Sequence, residues 1–416
     1  MQLHTEAHHT QHYTKGDKLK PVIMMQAPVF SLSGYGAHAR DIAMALYNSQ
    51  KYSISILPTG WGGTSMTSNL DIETMEALEF MCSVPQPKTD NFIFVHMGLP
   101  TEFKRVAKIN IGVTAGLEST SIPESWVGPS NSMDAIIVPS TFVKELFKTN
   151  GINVPIYVVG EGVDINIFKP ETTDKEKRVF KFDTEFNFIS SGQWLLGSLG
   201  DDRKGIGKLI KVFCETFADR EEVGLILKTS TSNVSSPDYY FTKQRIKAIK
   251  KDIKFPKIHL VHGDLTEQEM RDLYYCSNAF VSLTSGESWF RPLAEAVACD
   301  IPVLVTGWSG HMDYIKKDMA TVFDYKLAEV PKSVYSTDVF LPGMNWAYPD
   351  LDSVKNKLRR CVNNYPIAKE RAVKLGKDFR NNFSKKITDA KLVDVFDLVI
   401  GKEKSDLLTN VSNIII

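Results

Sequence analysis

Residues 279–306 read Ala279-Phe-Val-Ser-Leu-Thr-Ser-Gly-Glu-Ser-Trp-Phe-Arg-Pro-Leu-Ala-Glu-Ala-Val-Ala-Cys-Asp-Ile-Pro-Val-Leu-Val-Thr306. The apolar run ending at Leu283 fits a buried strand, the small residues after it a loop, 290–299 an amphipathic helix, and Pro302–Thr306 a second buried strand. A strand, a helix and a strand in that order form the crossover unit of a parallel sheet covered by helices. Two carboxylates, Glu287 and Glu295, stand eight positions apart in this unit. A loop carboxylate and the exposed amides ahead of a helix suit sugar-like hydroxyls, and a carboxylate inside the helix suits a vicinal diol. Taken alone, the spacing fits a helix cap and a solvated helix residue better. The rest of the chain decides.

Outward from this unit, apolar runs alternate with helical segments from Pro21 to about Val362. The predicted strands are 21–27, 53–57, 91–96, 109–114, 134–138 and 155–159, then 186–191, 223–228, 257–261, 278–283 and 302–306. Helices are predicted near 205–218, 238–252, 266–276 and 290–299. The fold class is therefore α/β, with two doubly wound parallel-sheet domains of Rossmann type spanning 21–168 and 186–365. Residues 1–20 form a tail and 169–185 a charged linker. A ligand shared by two such domains lies at the carboxyl ends of both sheets.

The length of 416 residues calls for two cores, and the formal net charge of zero announces neither a nucleic acid nor a membrane. No apolar stretch is long enough to span a bilayer, and the polar N-terminus lacks the pattern of a signal peptide, so a cytoplasmic protein is expected. Cys82, Cys214, Cys276, Cys299 and Cys361 are scattered without metal spacing and read as reduced core thiols. No metal site is expected, and His4, His8, His9 and His12 read as a tail. Acid is in excess before residue 186 and base after it, which favours the second domain as host of an anionic ligand. The segment 243–254 is its densest basic part. It reads as a surface helix, with phosphate or acidic-membrane binding as the sharper alternative.

Two further loops leave predicted strand ends. Ser31-Leu-Ser-Gly-Tyr-Gly36 precedes a helix expected from about Ala37, and the amides of Gly34 and Gly36 can approach a phosphate or sugar. It has neither the third glycine of a dinucleotide fingerprint nor a Walker lysine, so nicotinamide and ATP sites are not supported. The loop 191–205 carries Gln193 and ends in Arg203-Lys204-Gly205. Cations just ahead of a helix N-terminus are unfavourable without an anion, so they suggest a bound diphosphate. After the last predicted strand, His311 and Asp313 stand near the same cleft, with a capping role assigned to Asp313.

With these pieces in place the chain resembles the retaining nucleotide-sugar glycosyltransferases of family 4, glycosyltransferase group 1, whose architecture is called GT-B. The resemblance covers roughly 21–400 and rests on GESWFRPLAEAVACDIPVLV, SGYGAHARDIAMAL, IIVPSTFVKELF, VPIYVVGEGVDINIFKP and RKGIGKLIKVF. It implies an acceptor domain at 21–168, a donor domain at 186–365, and C-terminal helices in 366–416 that cross back to the first domain. It further implies that Glu295 holds the donor ribose, and that Glu287 with the amides of Phe290 and Arg291 holds the transferred sugar. Arg203 and Lys204 would neutralise the diphosphate in place of a metal ion. Glu287, Arg203 and Lys204 form the catalytic set; Glu295, Ser288, Phe290, Arg291, Gln193, Gly34 and Gly36 form the donor-binding set. No cofactor is implied beyond a nucleoside-diphosphate sugar as co-substrate, UDP-linked by default.

Three departures from the family pattern stand out. Gln193 replaces a common arginine, Phe290 replaces a common glycine and would narrow the sugar pocket, and the first domain has Gly112-Val-Thr-Ala-Gly-Leu-Glu118 where many relatives carry histidine. Glu118 and His96 are the candidates for acceptor or sugar contact, each weighed against a structural role. The acceptor is left open among saccharide, protein and hydroxymethylated phage DNA. A sugar-nucleotide epimerase, a phosphorylase and a silent binding module rank lower.

Overall fold

The computed structural model describes residues 20–64, 66, 70–172, 179–195, 199–231, 234–251, 253–401 and 407. The His-rich tail and the linker stretch 173–178 lie outside the described residues. In the first domain, β1 (Val22–Ala27), β2 (Ser53–Pro58), β3 (Ile93–Met97), β4 (Ile109–Val113), β5 (Ala135–Val138) and β6 (Ile156–Val158) form one parallel sheet in the order β2-β1-β3-β4-β5-β6. Helices α1 (Gly34–Asn48), α2 (Ile72–Ser83), α3 (Val127–Asn131) and α4 (Thr141–Thr149) belong to its crossovers. Every residue of β3, β4 and β5 is buried. Continuous apolar runs are what a sheet covered on both faces requires.

The second domain repeats the plan. Its elements are β7 (Phe186–Ser191), α5 (Ile206–Thr216), β8 (Val223–Lys228), α6 (Ser236–Lys250), β9 (Lys257–Val261), α7 (Glu267–Tyr275), β10 (Ala279–Ser282), α8 (Arg291–Ala298), β11 (Val303–Thr306) and β12 (Thr321–Phe323). They form a sheet in the order β12-β11-β10-β7-β8-β9. In each sheet the first strand is flanked by strands reached in opposite directions, so a crevice opens at the carboxyl ends of β1 and β3 and of β7 and β10. The loops 191–205 and 283–290 leave β7 and β10, and the loop 28–33 leaves β1. The topology alone brings these motifs to the cleft. Two Rossmann-like sheets facing a cleft is the architecture the sequence led us to expect.

Predicted strands 186–191, 223–228 and 257–261 match β7, β8 and β9, the other strand and helix edges shift by up to three residues, and several elements, among them α2, α3 and a helix at Leu351–Asn363, are new. Helix α1 begins at Gly34 rather than Ala37, because the Ser33 hydroxyl accepts from Gly36 N at 3.0 Å and starts the helix early. Strand β12 was not anticipated. Neither was the antiparallel hairpin of β13 (Tyr325–Glu329) and β14 (Asn345–Pro349). All five residues of β13 are exposed, so no buried face marks it as a strand. The segment joining the two strands, together with β14, packs onto the first domain: Val330, Met344 and Trp346 share a cluster with Trp126, Val143 and Phe147.

The chain ends with α9 (Leu351–Asn363), α10 (Tyr365–Phe383) and α11 (Lys385–Ile400). Helix α10 buries Leu375 and Phe379 in the second domain, whereas α11 buries Leu392, Val395 and Phe396 in the first. The crossing point is Ser384. There Val163 N donates to Phe383 O at 3.1 Å and Lys385 N to Val163 O at 2.8 Å. The five cysteines form no disulfide: Cys214, Cys276, Cys299 and Cys361 are buried thiols, and Cys82 is half-buried. Among the described residues no helix is long and apolar enough to cross a membrane.

Trp346 is 1% exposed and carries the hairpin's grip on the first domain. Trp346→Ala should cost about 3–5 kcal/mol, the range for deleting a large core aromatic. Chemical denaturation checks this, and an unchanged midpoint would show that the hairpin does not bear on the fold.

Candidate functional site

Helix α5 is entered through Asp202-Arg203-Lys204-Gly205. Gly205 has φ +67°, and a Cβ there would lie 2.3 Å from the Leu283 carbonyl oxygen, so only glycine lets this turn press on the loop after β10. The two loops are laced together. Ser285 N donates to Arg203 O at 2.7 Å, and an Arg203 Nη1 hydrogen bond reaches Gly286 O. Lys204 Nζ thereby meets both carboxylate oxygens of Glu287, at 2.8 and 2.7 Å, and Thr284 Oγ1 donates to one of them at 2.8 Å. Arg203 stands 3.5 Å from the same carboxylate.

Glu287 is 4% exposed. Burial would raise its pKa, but the Lys204 ammonium and then the Arg203 guanidinium outweigh burial and hold the carboxyl below its ordinary value. From the first domain, Glu118 reaches Arg203 Nη1 at 3.2 Å. The Arg203 pKa is raised: burial opposes its charge, and Glu118 and Glu287 prevail. Glu287, Lys204, Arg203 and Glu118 therefore form one cluster across the cleft. Glu118, an acceptor-side candidate, is in it.

The cations do not face an empty helix end. Asp202 occupies the start of α5, accepting from Ile206 N at 2.6 Å and Lys204 N at 3.0 Å. This corrects the reading of the loop: the conflict between cations and helix terminus is resolved by a neighbouring carboxylate. A polar residue just ahead of a helix was a legible capping signal that the sequence reading did not use.

Helix α8 is capped at its start by Phe290, whose φ of 80° and ψ of 67° place a non-glycine residue in the left-handed region. That conformation costs on the order of 1–2 kcal/mol. The Tyr314 hydroxyl holds the turn by donating to Trp289 O at 3.0 Å and Phe290 O at 3.1 Å. The Phe290 ring is packed edge-on to Phe280 and His311, with Lys204 Nζ 5.3 Å from its centroid. The ring lies in the core beneath the lysine. The expectation that it narrows a sugar pocket is thus replaced by a role in seating Lys204.

Glu295 projects one turn into α8 and accepts from the Tyr274 hydroxyl at 2.8 Å. Its pKa is raised to about 7, by burial first, with Arg291 pulling the other way. Tyr274, twenty-one residues upstream, carried no sequence signal for this contact. The Arg291 side chain turns to the first domain and pairs with Asp41 at 2.7 Å and Glu161 at 3.0 Å. Lys385 joins Asp41 at 2.7 Å. Burial opposes the Asp41 charge, yet Arg291 and Lys385 hold its carboxyl far below its usual range. The Arg291 side chain is thus committed to the first domain.

The other candidates divide. Ser288 Oγ is buried without a hydrogen-bond partner, as is Ser285 Oγ beside it, so two unsatisfied hydroxyls line the same loop. Gln193 is half-buried on the loop that touches Lys204 through Gly192. Gly36 is required by space, since a Cβ would fall 2.0 Å from Ser31 O, whereas exposed Gly34 meets nothing within 4 Å. His96 packs between Phe94 and Phe103, and burial drives its pKa down to about 4, so it is a neutral packing residue outside the Glu287 cluster. His311 is fully buried and bonds Thr306 O at 2.8 Å. Asp313 does cap a helix, but one in the other domain: its carboxylate accepts from Thr141 N at 2.7 Å. Among the described residues no three His, Cys, Asp or Glu side chains are grouped to hold a metal ion.

No protein-family model and no curated protein matches this sequence. Solved structures do match it in fold. A glycosyltransferase from Rickettsia africae superposes with TM-score 0.65 at 15% identity, over 92% of this chain and 99% of its own. Sucrose-phosphate synthase from Thermosynechococcus elongatus gives 0.64 at 13%, over 92% and 99%. HepE from Anabaena, solved with UDP and glucose, gives 0.63 at 13%, over 91% and 100%. At such identities the likeness is one of fold, and the fold is GT-B.

The raised Glu295 pKa has a definite sign. Its folded pKa lies above the unfolded value near 4.5, so its contribution favours folding at low pH and is lost as pH rises from about 4.5 to about 7. Glu295→Gln should therefore raise the melting temperature at pH 8 relative to the parent while leaving it nearly unchanged at pH 4.5. Thermal unfolding at both values decides, and equal shifts would contradict the burial of an ionisable carboxyl.

Proposed function

We propose that the protein is a retaining glycosyltransferase that moves a hexose or pentose from a nucleoside-diphosphate sugar, UDP-linked, to an acceptor hydroxyl without a catalytic metal. One observation carries this reading. Lys204 and Arg203 converge on buried Glu287 at the switch point of the second sheet, facing the first domain across the cleft. The shared fold with HepE, whose structure holds UDP and glucose, supports the choice of UDP.

In this reading the Glu295 carboxylate accepts hydroxyls of the donor ribose, and Glu287 with the α8 amides and the hydroxyls of Ser285 and Ser288 orients the transferred sugar. Lys204 and Arg203 turn part of their charge to the diphosphate. When the bond from the anomeric carbon to the phosphate oxygen breaks, negative charge gathers on the leaving phosphate. Cations already fixed in place stabilise that charge most in the transition state. The acceptor oxygen adds to the same face of the oxocarbenium-like sugar, and its proton passes to the departing phosphate. Glu118, paired with Arg203, would orient that hydroxyl.

A thermal-shift panel of UDP-, GDP- and ADP-sugars tests the donor site. UDP-sugars should stabilise the parent, Lys204→Ala and Glu295→Ala should lose most of that shift, and a flat response to every nucleotide sugar would sink the proposal. Turnover should also persist in EDTA. Complete loss on chelation, restored by magnesium, would contradict the assignment of leaving-group charge to Lys204 and Arg203.

A further inference from the structure

The hairpin of β13 and β14 extends from the second domain, yet β14 touches the loop that carries Glu118. Asn345 N donates to Thr120 Oγ1 at 3.0 Å, and Asn345 Nδ2 approaches the same oxygen at 3.3 Å. Ser119 Oγ donates to Asn345 O at 3.4 Å. Two residues further along, Ala347 N donates to Ser285 O at 3.1 Å. One strand thus links the loop 118–120 of the first domain to the loop 285–287 of the second.

The link is stiff at both ends. Trp126 Nε1 donates to Asp338 O at 2.9 Å, and Phe340 packs edge-on to Trp346 with centroids 5.1 Å apart. On the other side, Lys208 Nζ of α5 lies 4.2 Å from the Tyr348 ring centroid. Between these anchors, Glu118 fits against Gly286 so closely that a Cβ on Gly286 would lie 2.9 Å from Glu118 Cβ. The reach of Glu118 to Arg203 therefore depends on where β14 holds its loop.

We propose that β14 sets the acceptor side of the site, with Thr120 and Asn345 as positioning residues that hold Glu118 opposite Arg203. Neither side chain touches the Glu287–Lys204 pair. Their effect passes through Glu118, so they act on transfer rather than on donor grip. The activity arm of the test rests on the proposed function; the exchange arm does not.

Thr120→Val keeps the shape and removes the hydroxyl acceptor, and Thr120→Ser keeps the acceptor. With the nucleotide sugar that stabilises the parent, Thr120→Val should lose roughly tenfold or more in kcat for donor turnover, because small misplacements of an orienting group are costly. Donor affinity should stay within about twofold, and Thr120→Ser should restore kcat. Unchanged kcat in Thr120→Val overturns the proposal, as does an equal loss in donor affinity that Thr120→Ser does not repair. Amide hydrogen exchange over 117–121 is read in the same proteins. It should quicken in Thr120→Val and return in Thr120→Ser, and unchanged exchange overturns the positioning role even if no nucleotide sugar binds. Failure of the parent to bind any donor, with exchange behaving as expected, would sink the proposed function and leave this assignment standing.

Discussion

A carboxylate withdrawn from water must have its charge answered, and the site is arranged around that demand at Glu287. Removing one partner of a buried pair typically costs several kcal/mol, because the other charge is stranded. The constraint reaches well past the pair. Lys204 can arrive only if the α5 entry turns tightly, which fixes glycine at 205, and only if Asp202 relieves the helix end that the lysine crowds. The opposite wall is fixed as well, since Glu287 N donates to Ser309 Oγ at 2.8 Å and Gly310 N to Glu287 O at 2.8 Å. Three loops of one sheet converge on a single residue.

The charges there balance in a way that bears on binding. Two cations stand against two carboxylates, one from each domain, so the cluster is close to neutral as it stands. An anion entering it does not meet free positive charge. It competes with Glu118 and Glu287 for the same donors, and each contact it gains is offset by one a carboxylate gives up. Selectivity then falls to groups that can replace both partners at once. Under the proposed function, a diphosphate carrying a sugar would do so, offering phosphate oxygens to the cations and hydroxyls to the released carboxylates.

The sequence was most legible where one physical rule sufficed. Buried parallel strands such as Ala135–Val138 and Val303–Thr306 are unbroken apolar runs, and the switch-point argument placed their loops at the cleft. Glu287, Lys204 and Arg203 were recognisable because they sit at those loops. What remained hidden was long-range or two-sided. The exposed strand 325–329 has no buried face, and its partner's role appears only where it meets Thr120, 225 residues away in sequence. Phe290 was recognised as unusual but not its direction, which depends on Phe280, His311 and Lys204 closing around it. His96, one residue before the end of β3, has the structural role favoured from its sequence, and the flanking Phe94 and Phe103 account for it.

Arg291 opens the helix that carries Glu295, yet its ion pairs are with Asp41 and Glu161 of the first domain. The helix thus belongs to one fold unit by chain and to the other by electrostatics. Recombination between relatives would ordinarily be cut at the linker, keeping each sheet intact. Here such a cut separates Arg291 from Asp41 and Glu161 and, because α11 follows the second domain in the chain, separates Asp41 from Lys385 as well. The unit of inheritance is therefore larger than the domain: a transplantable second half must bring α11 with it and find carboxylates waiting at the positions of Asp41 and Glu161.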